Sequence, residues 1–460
     1  MTLIKSISGI RGTIGGAVGA GLTPIDIVKY VSGFGTWVQS QNGKKIVIGR
    51  DARISGELCL GLVSDTLRLL GVDVIDLGLS TTPTVEVAVM IEKADGGIII
   101  TASHNPINWN ALKLLNNRGE ILSAEEGLKV EKFSDDGIFS FANVYQLGGY
   151  ISKPNFVDVH IDLILKHPLV DRVAISKANL KVVVDAVNST GGIAVPLLLE
   201  KLGVVKITKL NCEPTGNFAH NPEPLPEHLS EISDCVKNGD YDLGIAVDPD
   251  VDRLALIQED GVPFGEEYTL VSVADYVLQN MKGATVSNLS STQALRDITE
   301  NANCQYFVSE VGEVNVVKMM KDCNAVIGGE GNGGVIVADF HYGRDALIGI
   351  ALFLTLLSKS KKKVSDIRKE YPSYCISKNK LEIDQSVNIE NIIEKISHKF
   401  RNEKLNKIDG LRIDFINKRE WVQLRKSNTE PIIRVYAEAE SMERADQLAM
   451  QLIEYIKLIK

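Results

Sequence analysis

GGIIITASHNP, residues 96–106, runs glycine and isoleucine straight into a serine, a histidine and an asparagine. A continuous apolar run bounded by turn residues is the pattern of a β-strand buried on both faces. The same pattern recurs in KKIVIGR (44–50), VDVIDLG (72–78), LKVVVDA (180–186), LGIAVD (243–248), ATVSNLS (284–290) and NAVIGG (324–329), with helical segments between the runs. Strands that alternate with helices predict an α/β fold with layered, mainly parallel sheets. The residues that follow Ile100 need a separate explanation. A turn requires only Asn-Pro, yet Ser103 and His104 precede it and Lys113 comes shortly after.

At ~100–200 residues per domain, 460 residues predict three or four domains. The pattern lapses over IFSFANVYQLGGYISKPNF (138–156), and the apolar helix Ala346 to Leu357 gives way to a lysine-rich hinge, Lys359 to Lys363, and then YPSY (371–374). The expected division is 1–152, 153–255, 256–372 and 373–460: three similar α/β domains with mixed, mainly parallel sheets, and a C-terminal α+β domain. In the last, Ala445, Leu448, Ala449, Leu452 and Ile456 recur at helical spacing, so a terminal helix is expected from Met442 to Ile459.

Composition excludes several classes. No apolar run reaches the ~18 residues of a membrane span. The net charge of −9 and the absence of a long basic block argue against a nucleic-acid partner. Six cysteines without metal-like spacing fit free thiols in a reducing compartment. MTLIKSISGIRG lacks the apolar core of a signal peptide, and a cytoplasmic address is expected. Nothing in the sequence specifies an oligomer.

Three further strands or strand-like runs break into polar loops. In YDLGIAVDPDVDR (241–253), Asp248, Asp250 and Asp252 alternate, and in extended backbone they would share one face. Carboxylates that close repel unless a cation lies among them, and hard oxygen ligands suit Mg²⁺ or Ca²⁺. An EF-hand is excluded because its glycine position holds Arg253 and LALI (254–257) is strand-like. Mg²⁺ is the expected ion. NAVIGGEGNGG (324–334) matches a dinucleotide fingerprint only formally, since Glu330 would face the pyrophosphate; Glu330 and Asn332 suit sugar hydroxyls better. In WVQLRKSNTEP and the residues after it, Arg425 and Arg434 flank Ser427, Asn428 and Thr429, a set fit to hold a compact phosphate. Ser103 then has two readings: it caps the next turn, or it carries a phosphoryl group beside a metal site.

Together these loops resemble the α-D-phosphohexomutase superfamily along essentially the whole chain. TASHNP is similar to its phosphoserine loop, DPDVDR to its metal loop, GGEGNGG to its sugar loop and RKSNTEP to its phosphate loop. SGIRG (8–12), GRDARISG (49–56), PTGNFAHNPEP (214–224) and VGEVNV (311–316) add to the likeness. The resemblance implies four domains around a central cleft and a two-step transfer: phospho-Ser103 gives its phosphoryl group to a hexose monophosphate, the resulting 1,6-bisphosphate turns around in the cleft, and the other phosphate returns to Ser103. It implies Mg²⁺ on Asp248, Asp250, Asp252 and the phosphoserine, Lys113 as general acid/base, and Arg11 and Arg253 near the transferring group. His104 would orient that group, Glu330 and Asn332 would read the sugar, and Arg425, Ser427, Asn428, Thr429 and Arg434 would hold the idle phosphate. Opening of the fourth domain near residue 372 is also implied.

Two departures stand out. Where many relatives have GExSGH, this chain has EGNGG (330–334), so the family histidine is a glycine and its role is vacant; His341, in FHYGRD, is the candidate to fill it. Pro249 replaces a glycine of the metal loop. The EGNGG version looks most like the phosphoglucosamine mutase branch, with phosphoglucomutase or phosphomannomutase activity as the alternative. A non-catalytic phosphosugar-binding protein is the rival from another class.

Overall fold

The computed structural model describes residues 1–6, 9–382, 388–426 and 432–459. Ser427, Asn428 and Thr429, and Ser8 of SGIRG, lie outside the described residues. The strand Gly96–Ile100 lies inside a seven-stranded sheet, parallel to Lys45–Arg50 on one side and antiparallel to Trp109–Leu115 on the other. Its isoleucines alternate between faces, as the pleat requires. Ile98 and Ile100 join a core with Val31, Phe34, Ile46 and Val63 from the strand Lys45–Arg50 and the helices Pro24–Ser40 and Gly56–Leu69. The helix Thr82–Ile91 covers the other side, and all three isoleucines are fully buried. Each such side chain contributes about 1.5–3 kcal/mol relative to exposure.

A second sheet carries the acidic loop. Lys206–Leu210, Lys181–Asp185 and Leu243–Val247 are parallel, and Leu254–Ile257 folds back antiparallel on Leu243–Val247. Residues 248–253 are therefore a hairpin connection, which corrects the expectation of extended backbone with a shared face. Val251 takes a left-handed φ of 64°, which reverses the chain. A β-branched residue in that region is strained, and its side chain is fully buried, so packing holds it there.

By packing, the chain divides into two units, residues 1–281 with 332–368 and residues 282–331 with 369–460. The second unit holds the parallel strands Tyr306–Ser309, Thr285–Asn288 and Ile327–Glu330. It also holds a five-stranded sheet, antiparallel throughout, from Cys375–Glu382 to Ile432–Ala439, with the helix Met442–Ile459 packed on it. That helix buries Leu448, Leu452 and Ile456, the face expected from their spacing.

The helix Ala346–Ser360 starts in the first unit at a fully buried carboxylate. Asp345 accepts from the amides of Leu347 (2.8 Å) and Ile348 (3.3 Å), and its other oxygen faces Nε2 of His160 (3.0 Å) and of His341 (3.2 Å). Burial alone would raise its pKa, but the two histidines outweigh burial and hold it below the usual carboxylate range. Its stabilising effect is therefore complete above the unfolded pKa of about 3.9 and is lost as pH falls towards the folded value. Asp345→Asn is expected to lower Tm at neutral pH and flatten the fall of Tm below about pH 4. Thermal scans across pH check this, and an unchanged acid slope would overturn it.

Candidate functional site

Ser103 begins the turn after the central strand with a left-handed φ of 46°. A non-glycine residue there needs support from its surroundings, and Arg53 supplies it. The fully buried Arg53 donates to the carbonyls of Ser103 (2.5 Å), Asn105 (2.6 Å), Pro106 (2.7 Å) and Trp109 (2.9 Å), and pairs with Asp51 at 3.1 Å. Asp51 also accepts from Thr101 Oγ1 (2.6 Å), which in turn accepts from the Ser103 amide (2.9 Å). One guanidinium thus gathers four carbonyls that otherwise need partners in a dry site. Arg53→Lys keeps the charge but loses the planar fork. It is expected to cut kcat about 10–100-fold through misplacement of the loop, as steady-state kinetics on the folded variant would show; wild-type kcat would sink the idea.

Ser103 Oγ donates to Asp248 Oδ2 at 2.7 Å and lies 3.3 Å from His104 Nδ1. Asp248, Asp250 and Asp252 are fully buried, with one carboxylate oxygen from each lying within 4.8 Å of the others. Burial, then Asp252 and Asp250, push Asp248 well above the ordinary carboxylate range. Burial would also raise Asp252, but Arg344, Lys113 and Arg253 outweigh it and hold that carboxyl low. The Oδ1 atoms of Asp250 and Asp252 are buried with no hydrogen-bond partner among the described residues. Converging carboxylates with such oxygens suit a hard divalent cation, and the residues present fit one.

Lys113 spans the triad, with Nζ 2.6 Å from Asp250 and 3.1 Å from Asp252. Burial opposes its charge, but the two aspartates dominate and keep it protonated. Thr82 Oγ1 donates to Asp250 at 2.5 Å, and Arg344 Nη2 to Asp252 at 2.8 Å. Arg253 reaches Glu223 at 3.2 Å. His104 Nε2 lies 4.0 Å from the same carboxylate, and burial followed by Arg253 holds this ring well below its ordinary pKa, hence neutral. Arg11, opposite Ala111 in the sheet, lines a recess of about 50 Å³ with Ser103, His104 and Lys113. Asn332, also in the first unit, accepts from the Gly334 amide at 3.2 Å.

The vacant histidine role does not fall to His341. Its ring is buried between Asp345 (3.2 Å) and Glu86 (3.5 Å), and the side chain beside Gly334 is Arg344. Arg53, Thr82, Glu223 and Arg344 carry no role in the sequence reading. GRDARISG, NPEP and HYGRD were visible as motifs, but only the fold shows what their charged groups touch.

In the second unit, Glu330 is buried and accepts from Asn288 Nδ2 (2.9 Å) and the Gly312 amide (3.1 Å). Arg425 and Arg434 are direct cross-strand partners on Glu420–Lys426 and Ile432–Ala439. Like charges so placed are destabilising, and an anion between them removes that cost. Asp409, 3.5 Å from Arg425, also accepts from the Val311 amide at 3.0 Å and so ties the arginine to VGEVNV.

Models of the phosphoglucomutase/phosphomannomutase family match in order: α/β/α domain I over residues 3–139, domain II over 158–261, domain III over 265–374 and the C-terminal domain over 382–455. The chain belongs to this family. It is a four-domain phosphohexomutase of the isomerase class, within the α-D-phosphohexomutase superfamily. A phosphoglucomutase/phosphomannomutase of Thermococcus kodakarensis is 36% identical over 456 residues, covering 96% of this chain and 98% of the relative. A phosphoglucosamine/phosphogalactosamine mutase of Sulfurisphaera tokodaii is 33% identical, covering 95% and 96%. The crystal structure of a phosphoglucomutase/phosphomannomutase family protein from Burkholderia thailandensis superposes with a TM-score of 0.85 at 26% identity, covering 98% of this chain and 96% of that one. Among the described residues no helix is long and apolar enough to cross a membrane.

Proposed function

We propose that this phosphohexomutase moves a phosphoryl group between O6 and O1 of glucosamine phosphate, through phospho-Ser103 and hexose 1,6-bisphosphate. The observation that carries the reading is Ser103 Oγ, 2.7 Å from Asp248 and beside two further buried aspartates and Lys113. In the first half-reaction a hexose hydroxyl oxygen bonds to phosphorus as the bond from phosphorus to Ser103 Oγ breaks; the hydroxyl gives up its proton and Oγ takes one. In the second, Ser103 Oγ gives up its proton and bonds to the other phosphorus of the bisphosphate as the bond from that phosphorus to the sugar oxygen breaks, and the sugar oxygen takes a proton. Lys113, held as a cation at rest, is assigned to proton transfer at these oxygens. Arg11 and Arg253 offset the charge of the transferring oxygens, and neutral His104 orients them. Asp248, Asp250 and Asp252 with the phosphoserine oxygen would hold Mg²⁺, which when bound neutralises charge on the phosphoryl group.

Glu330 and Asn332 are assigned to the sugar hydroxyls. Arg425 and Arg434, with Ser427, Asn428 and Thr429, are assigned to the phosphate that is not reacting. The three domain boundaries at 152, 255 and 372, hinge opening near 372 and a cytoplasmic address belong to the same proposal. The EGNGG loop and the Sulfurisphaera relative support glucosamine. The Thermococcus relative at 36% identity favours a second reading, glucose or mannose phosphate. Sugars that differ at one carbon are separated only modestly unless a mismatch leaves a buried group unpaired.

Phosphorus NMR with Mg²⁺, a trace of hexose 1,6-bisphosphate and glucosamine, glucose and mannose 6-phosphates in competition tests the proposal. Glucosamine 1-phosphate is expected well ahead of the others. Glucose or mannose in the lead would overturn the sugar assignment alone. No 1-phosphate from any of them would leave the non-catalytic phosphosugar-binding protein as the reading.

A further inference from the structure

A side chain at position 334 would force Arg344 to shift. A Cβ built on Gly334 would lie 2.3 Å from Cδ of Arg344 and 3.1 Å from its Cγ, well inside contact distance. The backbone there is an ordinary strand, Gly334–Val337, so glycine answers a need for space and not for a special φ. What fills the space is the stem of an arginine whose Nη2 ends 2.8 Å from Asp252 Oδ2, the oxygen that also accepts from Lys113 Nζ at 3.1 Å.

The base of this arginine is fixed. The Asp345 amide donates to Val335 O (2.9 Å), and the Ala346 amide donates to Val251 O (3.2 Å) inside the acidic loop. The Leu254 amide at the end of that loop donates to Gly333 O (3.0 Å). The strand at 334, the start of the helix Ala346–Ser360 and the aspartate loop are thus laced together in one unit, and Arg344 reaches Asp252 from a rigid base. A guanidinium keeps its charge at every working pH, so it cannot exchange protons here; it can hold a carboxylate oxygen in place.

We infer that Arg344 is a positioning residue for phosphoryl transfer: it fixes Asp252 Oδ2, and through that shared oxygen the ammonium of Lys113, across a glycine kept at 334 to let it pass. The inference rests on the site reading proposed above. It goes beyond that reading because it gives work to an arginine outside the four loops and a reason for the glycine.

The test uses the full chain with Arg344→Ala, Arg344→Lys, Gly334→Ala, the Gly334→Ala/Arg344→Ala pair, and Asp252→Asn beside them. Arg344→Ala is expected to lower kcat about 100-fold, with KM for the hexose phosphate changed less than threefold as an order-of-magnitude bound. Arg344→Lys should recover part of the loss. Gly334→Ala should behave like Arg344→Ala, because the new methyl displaces the stem. A readout without turnover comes from Tm of the metal-free protein: Gly334→Ala should lower it in the wild type and cost little once Arg344 is alanine. If Gly334→Ala lowers Tm equally in both backgrounds, the steric link is wrong. If Arg344→Ala and Arg344→Lys both keep wild-type kcat while Asp252→Asn is inactive, the inference fails and the site reading survives. An active Asp252→Asn would overturn both.

Discussion

Ser103→Ala is expected to abolish phosphoryl exchange between hexose 1,6-bisphosphate and the protein, and with it the mutase reaction. The proposed carrier oxygen is gone, and Lys113, held as a cation by Asp250 and Asp252, has no free lone pair to replace it. Loss of a covalent nucleophile that works in concert with its neighbours costs on the order of 10³-fold or more in kcat. The fold should survive, since the support from Arg53 reaches Ser103 through its carbonyl and not through Oγ. Label transfer from the bisphosphate to the protein, measured beside circular dichroism, checks both halves. Sustained turnover by a folded variant would sink the phosphoserine assignment.

Asp250→Ala is the second large effect. Asp250 Oδ2 accepts from Lys113 and Thr82, while its Oδ1 is buried and unpartnered among the described residues. The variant removes a candidate metal oxygen and leaves the buried Lys113 charge with Asp252 as its remaining acidic partner. Activity supported by Mg²⁺ is expected to fall about 10²–10⁴-fold, since stabilisation of the transferring oxygens and placement of the proton donor are lost together. Titration of Mg²⁺ against rate checks this. Wild-type activation would show that the metal loop is misassigned.

Much of the fold follows from local pattern. The run at 96–100 and its counterparts at 44–50, 180–186 and 243–248 read as buried strands because consecutive apolar residues have no solvent face and the runs are too short, between their turn residues, for helices. Met442–Ile459 was legible from one apolar stripe. The acidic loop shows where that kind of reading ends. Alternation suggested an extended face, and the carboxylates instead converge across a hairpin turned by the left-handed Val251. Packing chose that backbone against local preference.

The sequence by itself determined which residue types stand at the carboxyl ends of the strands, a serine, three aspartates and a carboxylate with an amide, and which two arginines flank the last polar loop. Apolar patterning and turn chemistry are short-range properties, so they can be read a few residues at a time. Tertiary structure alone decided what restrains those groups. Arg53 gathers carbonyls from the next strand connection, Thr82 reaches Asp250 from another domain, and Arg344 crosses Gly334 to hold Asp252. These partners lie 53, 168 and 92 residues away in the chain. Separations of that size leave no local pattern. Only folding brings such charges to hydrogen-bonding distance, where burial makes each pairing count.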